Sequence, residues 1–140
     1  MSRFADSVRE RVDAAREREE QRMKEERERR AAELKALQAA QDAATQLLPQ
    51  VRNRLREVAE ASNGAMVASL VAGGKDVEVW RLQWIAPPPK RDLTVEVNVP
   101  SGRVRWQLFD GLSPDQDDMD ARRFIMGMLD ELIRRLCEVA

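Results

Sequence analysis

Apolar residues recur every three or four positions from the end of a charged stretch into the middle of the chain. Leu34, Leu37, Gln41, Ala44, Leu48, Val51, Leu55 and Val58 make this series. That spacing predicts a helix with a heptad-like seam. Ala36, Ala43 and Leu47 widen the stripe, and Gln38, Ala40, Thr45 and Leu47 flank it without the charge pairs that set coiled-coil partnership. The seam therefore divides its role between joining a second helix and packing onto the domain that follows. Leu34, Leu37, Gln41, Ala44 and Leu48 are the residues assigned to oligomerisation.

Pro49 interrupts this pattern. Proline lacks an N–H and clashes with the carbonyl four residues back, here Thr45. The expectation is a kink or break near Leu48 and a second helix over residues 49–62. Ser62, Asn63 and Gly64 supply its terminator.

Beyond residue 64 the period changes from 3.6 to 2. Residues 65–74 read as a short strand ending in a Gly-Gly turn, and residues 77–85 as a second strand. Trp80, Leu82 and Trp84 share one of its faces; Arg81 and Gln83 take the other. Val77 and Val79 fall out of phase with the tryptophans, which points to a bulge or to partial cover on both faces. The proline-rich stretch 86–92 cannot join a ladder, because its prolines donate no hydrogen bonds. Residues 93–99 alternate cleanly, with Leu93, Val95, Val97 and Val99 inward. A Pro-Ser-Gly turn at 100–102 leads into 103–109, where Val104, Trp106 and Leu108 point inward. The sum is a four-stranded antiparallel meander with one buried and one polar face.

Ser113, Pro114 and Gln116 have the spacing of a capping box, with proline at the first helical position. Asp115, Asp117, Asp118 and Asp120 would favour the positive end of that helix's dipole. Ile125, Met128, Leu129, Leu132, Ile133 and Leu136 then form its apolar face, bordered by Phe124 and Cys137. A C-terminal helix starting at residue 113 is thus expected to cover one face of the sheet. The fold class is α+β: a long N-terminal helical, coiled-coil-like arm, then a helix, the meander and the final helix.

Composition divides the same chain in two. Residues 1–48 contain no Gly and no Pro, whereas residues 49–140 hold every Gly and Pro and all three Trp. The expected division is an arm over 1–48 and a small α+β domain over 49–140. Thirteen of the fifteen residues from Arg16 to Arg30 are charged. Glu20/Lys24, Glu25/Arg29, Glu26/Arg30 and Glu19/Arg22 are acid-to-base pairs at helical spacing, each contributing roughly 0.2–0.5 kcal/mol. A helix polar on all sides is a solvated one. Phe4, Val8, Val12 and Ala15 precede it as a short apolar stripe, a candidate docking patch.

Charge is plentiful but balanced: 24 basic against 25 acidic residues, for a net charge of −1. No global attraction to nucleic acid or anionic membrane follows. Residues 49–112 carry a local excess of two positive charges, nine basic against seven acidic. Arg81, Arg103 and Arg105 on the outward sheet face, with Lys90 and Arg91 in the neighbouring loop, are the candidate partner-binding residues. An acidic protein surface is the favoured partner, and nucleic-acid phosphates the alternative.

The chemistry of catalysis is thinly represented. The chain contains no His and no Tyr, and its one Cys, Cys137, has no histidine to activate it. Gly73-Gly74-Lys75 lacks the spacing of a phosphate-binding loop. The aspartates at 115–120 lack the loop glycine and distal glutamate of a calcium-binding loop. No catalytic residue, metal or cofactor is assigned. The single cysteine, the absence of a leader-like apolar run after the first arginine, and the absence of a long apolar window point to a cytoplasmic location. The function expected is that of a non-enzymatic, self-associating protein-interaction module of adaptor, scaffold or chaperone type, most simply a homodimer.

Overall fold

The computed structural model describes residues 2–85, 90–111 and 113–138. Its elements run α1 (Arg3–Ala61), β1 (Met66–Gly74), β2 (Val77–Trp84), β3 (Asp92–Asn98), β4 (Arg103–Phe109), β5 (Pro114–Asp120) and α2 (Met126–Cys137). The chain separates into two compact units, Met1–Ala36 and Leu37–Ala140.

The first unit is helix throughout its described length apart from Ser2. Ser2 caps the helix, its Oγ accepting the Ala5 N–H at 3.2 Å. Ion pairs along the exposed surface include Arg22–Glu19 at 2.5 Å and Arg30–Glu26 at 2.8 Å. Phe4, Val8, Val12, Met23 and Leu34 are all exposed. Among the described residues, no apolar side chain of this unit belongs to the hydrophobic core.

The second unit begins within α1, upstream of the composition change at residue 49. Ala40, Ala44, Leu47, Val51 and Leu55 are buried along one helix face, and the last four join the core of the sheet. Pro49 neither breaks α1 nor starts a new helix; α1 is a single element through Ala61. Proline costs a helix interior about 3 kcal/mol. Leu47 and Val51, buried on either side of it, hold both halves of the helix to one surface and offset that cost. The chain then turns through Asn63 (φ 53°) and Gly64 (φ 88°), both left-handed, as the Ser-Asn-Gly signal predicts.

The sheet has five strands, not four, in the order β1-β2-β3-β4-β5, each antiparallel to its neighbour. The expected capping box at 113–116 is instead the start of β5. Its residues pair with β4 from Phe109↔Pro114 to Arg103↔Asp120. The hairpin between β1 and β2 turns at Lys75 and Asp76, the latter at φ 63°, one step beyond the glycine pair. A register shift between Leu70 and Ala72 places the bulge in β1. Residues 86–89 of the proline-rich stretch lie outside the described residues.

On the inner face, Trp80, Leu82, Leu93, Val95, Val97, Val104, Trp106 and Leu108 are buried as the alternation predicts. α2 begins at Met126, thirteen residues later than Ser113, and buries Leu129, Leu132, Ile133 and Leu136 against the same core. Ile125 is its N-cap and is 61 % exposed, so it does not belong to the apolar face.

Candidate functional site

The outward-facing positions of β2, β3, β4 and β5 place charges in rows. Glu96 of β3 lies opposite Arg105 of β4, which lies opposite Asp118 of β5. Asn98, Arg103 and Asp120 form the next row. Cross-strand neighbours at such positions interact directly. Arg103 donates from Nε to Asp118 at 2.8 Å. Arg105 stands 3.5 Å from Asp118 and 4.0 Å from Glu96. Asp118 is held below its ordinary value, first by the hydrogen bond from Arg103, with the charges of Arg103 and Arg105 adding to it.

The expected basic patch therefore has acidic partners built into it: Glu96 from β3, and Asp118 from β5, the segment expected to open the C-terminal helix. Arg81 lies on the same outward face, opposite Thr94 and Ser69; its Nε is a buried nitrogen without a hydrogen-bond partner. Arg91 belongs to another environment. Its guanidinium sits 4.5 Å from the Trp84 ring centroid and donates from Nη1 to the Leu136 carbonyl at 3.3 Å. The Trp84 indole donates to that same carbonyl at 3.1 Å. Arg91 thus ties the end of α2 to the sheet. Lys90 is exposed. The five candidate binding residues do not converge on one surface.

The five residues assigned to a seam also separate. Ala44 is wholly buried in the chain's own core, and Leu48 is half-buried against it. Gln41 donates from Nε2 to the Pro100 carbonyl at 2.9 Å. Leu37 and Leu34 are 40 % and 68 % exposed. The C-terminal part of the seam is internal packing; only its beginning faces solvent.

One cluster escaped the sequence reading. Glu78 of β2 accepts from Arg52 of α1 at 3.2 Å and 2.5 Å, in a two-pronged pair, and from the Trp80 indole at 2.8 Å. Arg56 lies 5.1 Å from the Trp80 ring centroid, a cation–π distance. The Arg52 hydrogen bonds, supported by Trp80, hold the Glu78 carboxyl below its ordinary value against the opposing effect of burial. The signal was present: Glu78 is in phase with Trp80 and Leu82, so it had to point inward and find a cation. A shallow groove of about 560 Å³ adjoins the cluster and reaches the exposed side chains of Leu70 and Val71.

Cys137 is exposed at the end of α2, and partial desolvation pushes its thiol above its ordinary value, so it is not an activated thiolate. Among the described residues no group of three or more Cys, Asp or Glu side chains is arranged to hold a metal ion. No described helix is long and apolar enough to cross a membrane. No protein-family model, curated protein or solved structure matches this chain.

Proposed function

We propose that this protein is a non-enzymatic, self-associating protein-interaction module. In this reading the charged helix of residues 3–36 docks a partner and the α+β unit is the scaffold. The observation that carries it is the N-terminal stripe: Phe4, Val8 and Val12 are 79 %, 43 % and 43 % exposed at a constant spacing of four residues. Such side chains contribute nothing to the chain's own core, and they are spaced as the anchors of an amphipathic helix entering a groove or a coiled-coil pairing. The solvated ion pairs that follow keep this stripe on a helix without giving it an apolar surface of its own.

Nucleic-acid binding receives less support. Arg103 and Arg105 already share acidic partners across the strands, and each phosphate contact would have to displace one of them. The test is paired affinity capture from the native host, using the wild type and a Phe4→Asp, Val8→Asp, Val12→Asp variant, with quantitative mass spectrometry. A partner enriched by the wild type and lost by the variant is the expected result. Identical capture by both would overturn the docking role of the helix.

A further inference from the structure

The two edges of the sheet differ in kind. β5 carries Pro114 and four aspartates along seven residues. Proline and charge on an edge strand are devices that prevent pairing with another sheet. β1 carries neither: its sequence Met-Val-Ala-Ser-Leu-Val-Ala-Gly-Gly has no charged residue over nine positions. Val67, Leu70 and Val71 on it are 44 %, 49 % and 46 % exposed.

The backbone of β1 shows which groups face outward. The Met66 N–H donates to Ser62 Oγ at 3.0 Å; the Ser62 hydroxyl donates to the Ala59 carbonyl at 2.6 Å, and the Met66 carbonyl lies 3.3 Å from the same Oγ. Met66 therefore turns both backbone groups away from β2. Hydrogen-bonding direction alternates along an antiparallel strand, so Ala68 and Leu70 turn theirs to the open edge as well. Ser62 satisfies the N–H of Met66. Nothing comparable covers Ala68 or Leu70 among the hydrogen bonds of the described residues.

We infer that this edge pairs with β1 of a second copy of the chain, antiparallel, about a two-fold axis at Ser69. This deepens the self-associating part of the function proposed above and rests on it. In that register Ala68 faces Leu70 of the second copy, and Leu70 faces its Ala68. Each pair exchanges both backbone bonds, about four in all. A large side chain meets a small one at each pair. No charge opposes its own image, as it would for aspartate-rich β5 paired with itself. A β1-to-β5 contact would run head to tail and leave an open edge unless its rotation closed a ring; the two-fold pairing closes with two copies, and the edges left are the two protected β5 strands. The bulge after Leu70 limits the ladder to the segment that precedes it.

The experiment uses full-length protein. Light scattering at micromolar concentration reads the mass of two chains for the wild type. Ala68→Pro removes a donor that serves no bond within the chain, and Leu70→Lys replaces the apolar side chain that meets Ala68 with a charge diagonal to the same charge on the second copy; each is expected to halve the mass while keeping a cooperative melt. Ser69→Cys in a Cys137→Ser background tests the register. Facing Cα atoms at such a position are about 4.5 Å apart, within disulfide reach, so oxidation gives a covalent two-chain species. Gln116→Cys on β5, in the same background, does not. A one-chain mass for the wild type overturns both this pairing and the self-association reading. A two-chain mass that survives both edge variants, or crosslinking no faster at position 69 than at 116, overturns the β1 pairing and leaves self-association standing.

Discussion

Gly102 faces Ala40 so closely that a Cβ built on Gly102 would lie 2.5 Å from the Ala40 Cβ and 2.9 Å from its carbonyl carbon. The turn between β3 and β4 is thereby pressed onto α1, and Gln41 fastens it through the Pro100 carbonyl. Gly102 also has φ +65°, which penalises any side chain. Gly102→Ala is expected to destabilise the second unit by about 2–4 kcal/mol, from backbone strain and overpacking together. Gly64→Ala is the control, since its φ is +88° but nothing lies within 4 Å; it should cost only the backbone part, about 1–2 kcal/mol. Urea denaturation of the two variants checks the difference. Equal losses would show that the Ala40 contact is not tight.

The Glu78–Arg52 pair makes stability depend on pH. The folded-state Glu78 carboxyl lies below its ordinary value of 4.5, chiefly because Arg52 hydrogen-bonds it. Its contribution is therefore complete above about pH 4.5 and is lost as pH falls through the lower folded value. Glu78→Gln should cost about 1–3 kcal/mol at neutral pH. The gap between variant and wild type should close as the pH falls below 4.5 and through that lower folded value. A gap independent of pH in denaturation curves would remove the pair as its cause.

Asp120 receives two prongs from the Arg122 guanidinium, at 3.0 Å and 2.9 Å, and the Arg122 backbone N–H at 2.8 Å. Those bonds bring its carboxyl down to about 2. Carbon-detected NMR titration should find it still ionised at pH 3. Arg122→Ala should move its titration up towards the ordinary aspartate value of 3.8, while the backbone bond keeps it from returning fully. An unchanged titration in that variant would mean the guanidinium pair does not persist in solution.

The parts of this fold that the sequence displayed are those governed by a single period. Val104, Trp106 and Leu108 alternate with Arg103, Arg105 and Gln107, and burial follows that alternation residue by residue. β5 was illegible because two rules competed over the same letters. Ser113, Pro114 and Gln116 satisfy a helix-start pattern, and aspartates are poor strand residues. Tertiary pairing decided otherwise: Asp118 and Asp120 face Arg105 and Arg103, and Asp115 meets Arg135 of α2 at 3.0 Å. A strand can carry four carboxylates where its neighbours supply cations on both faces. The same competition concealed the neutral character of the outer face, since Asp118, which pairs with both Arg103 and Arg105, lies on that strand. The continuity of α1 through Pro49 was likewise invisible locally, because the burial that maintains it comes from residues far along the chain.

That neutral face makes a prediction about nucleic acid. Binding strength to a polyanion follows the number of phosphates neutralised, and on this face Asp118 already serves both Arg103 and Arg105. The protein is expected to show no retained, salt-sensitive binding to DNA or RNA at physiological ionic strength. Asp118→Asn should release Arg103 and Arg105 and raise any residual affinity. Tight wild-type binding that Arg103→Glu/Arg105→Glu abolishes, measured at two salt concentrations, would reverse the assignment of this face.

The placement of the core predicts what the N-terminal helix does for stability. Among the described residues the core cluster begins at Ala44, while Phe4, Val8, Val12, Met23 and Leu34 remain exposed. Apolar burial is the main stabilising contribution, so removing residues 1–36 should change stability by less than about 1 kcal/mol, a shift of no more than about 4–8 °C in melting temperature. Point substitutions along α1 should divide at the same place. Leu37 is 40 % exposed, and Leu37→Glu should lie within about 0.5 kcal/mol of wild type. Leu55 is fully buried, and Leu55→Ala should cost about 2–5 kcal/mol through lost contacts and the cavity left behind. Thermal melts of the three proteins decide the matter. A large loss on truncation, or a Leu37→Glu penalty approaching that of Leu55→Ala, would mean that the exposed helix contributes to the stability of the folded protein.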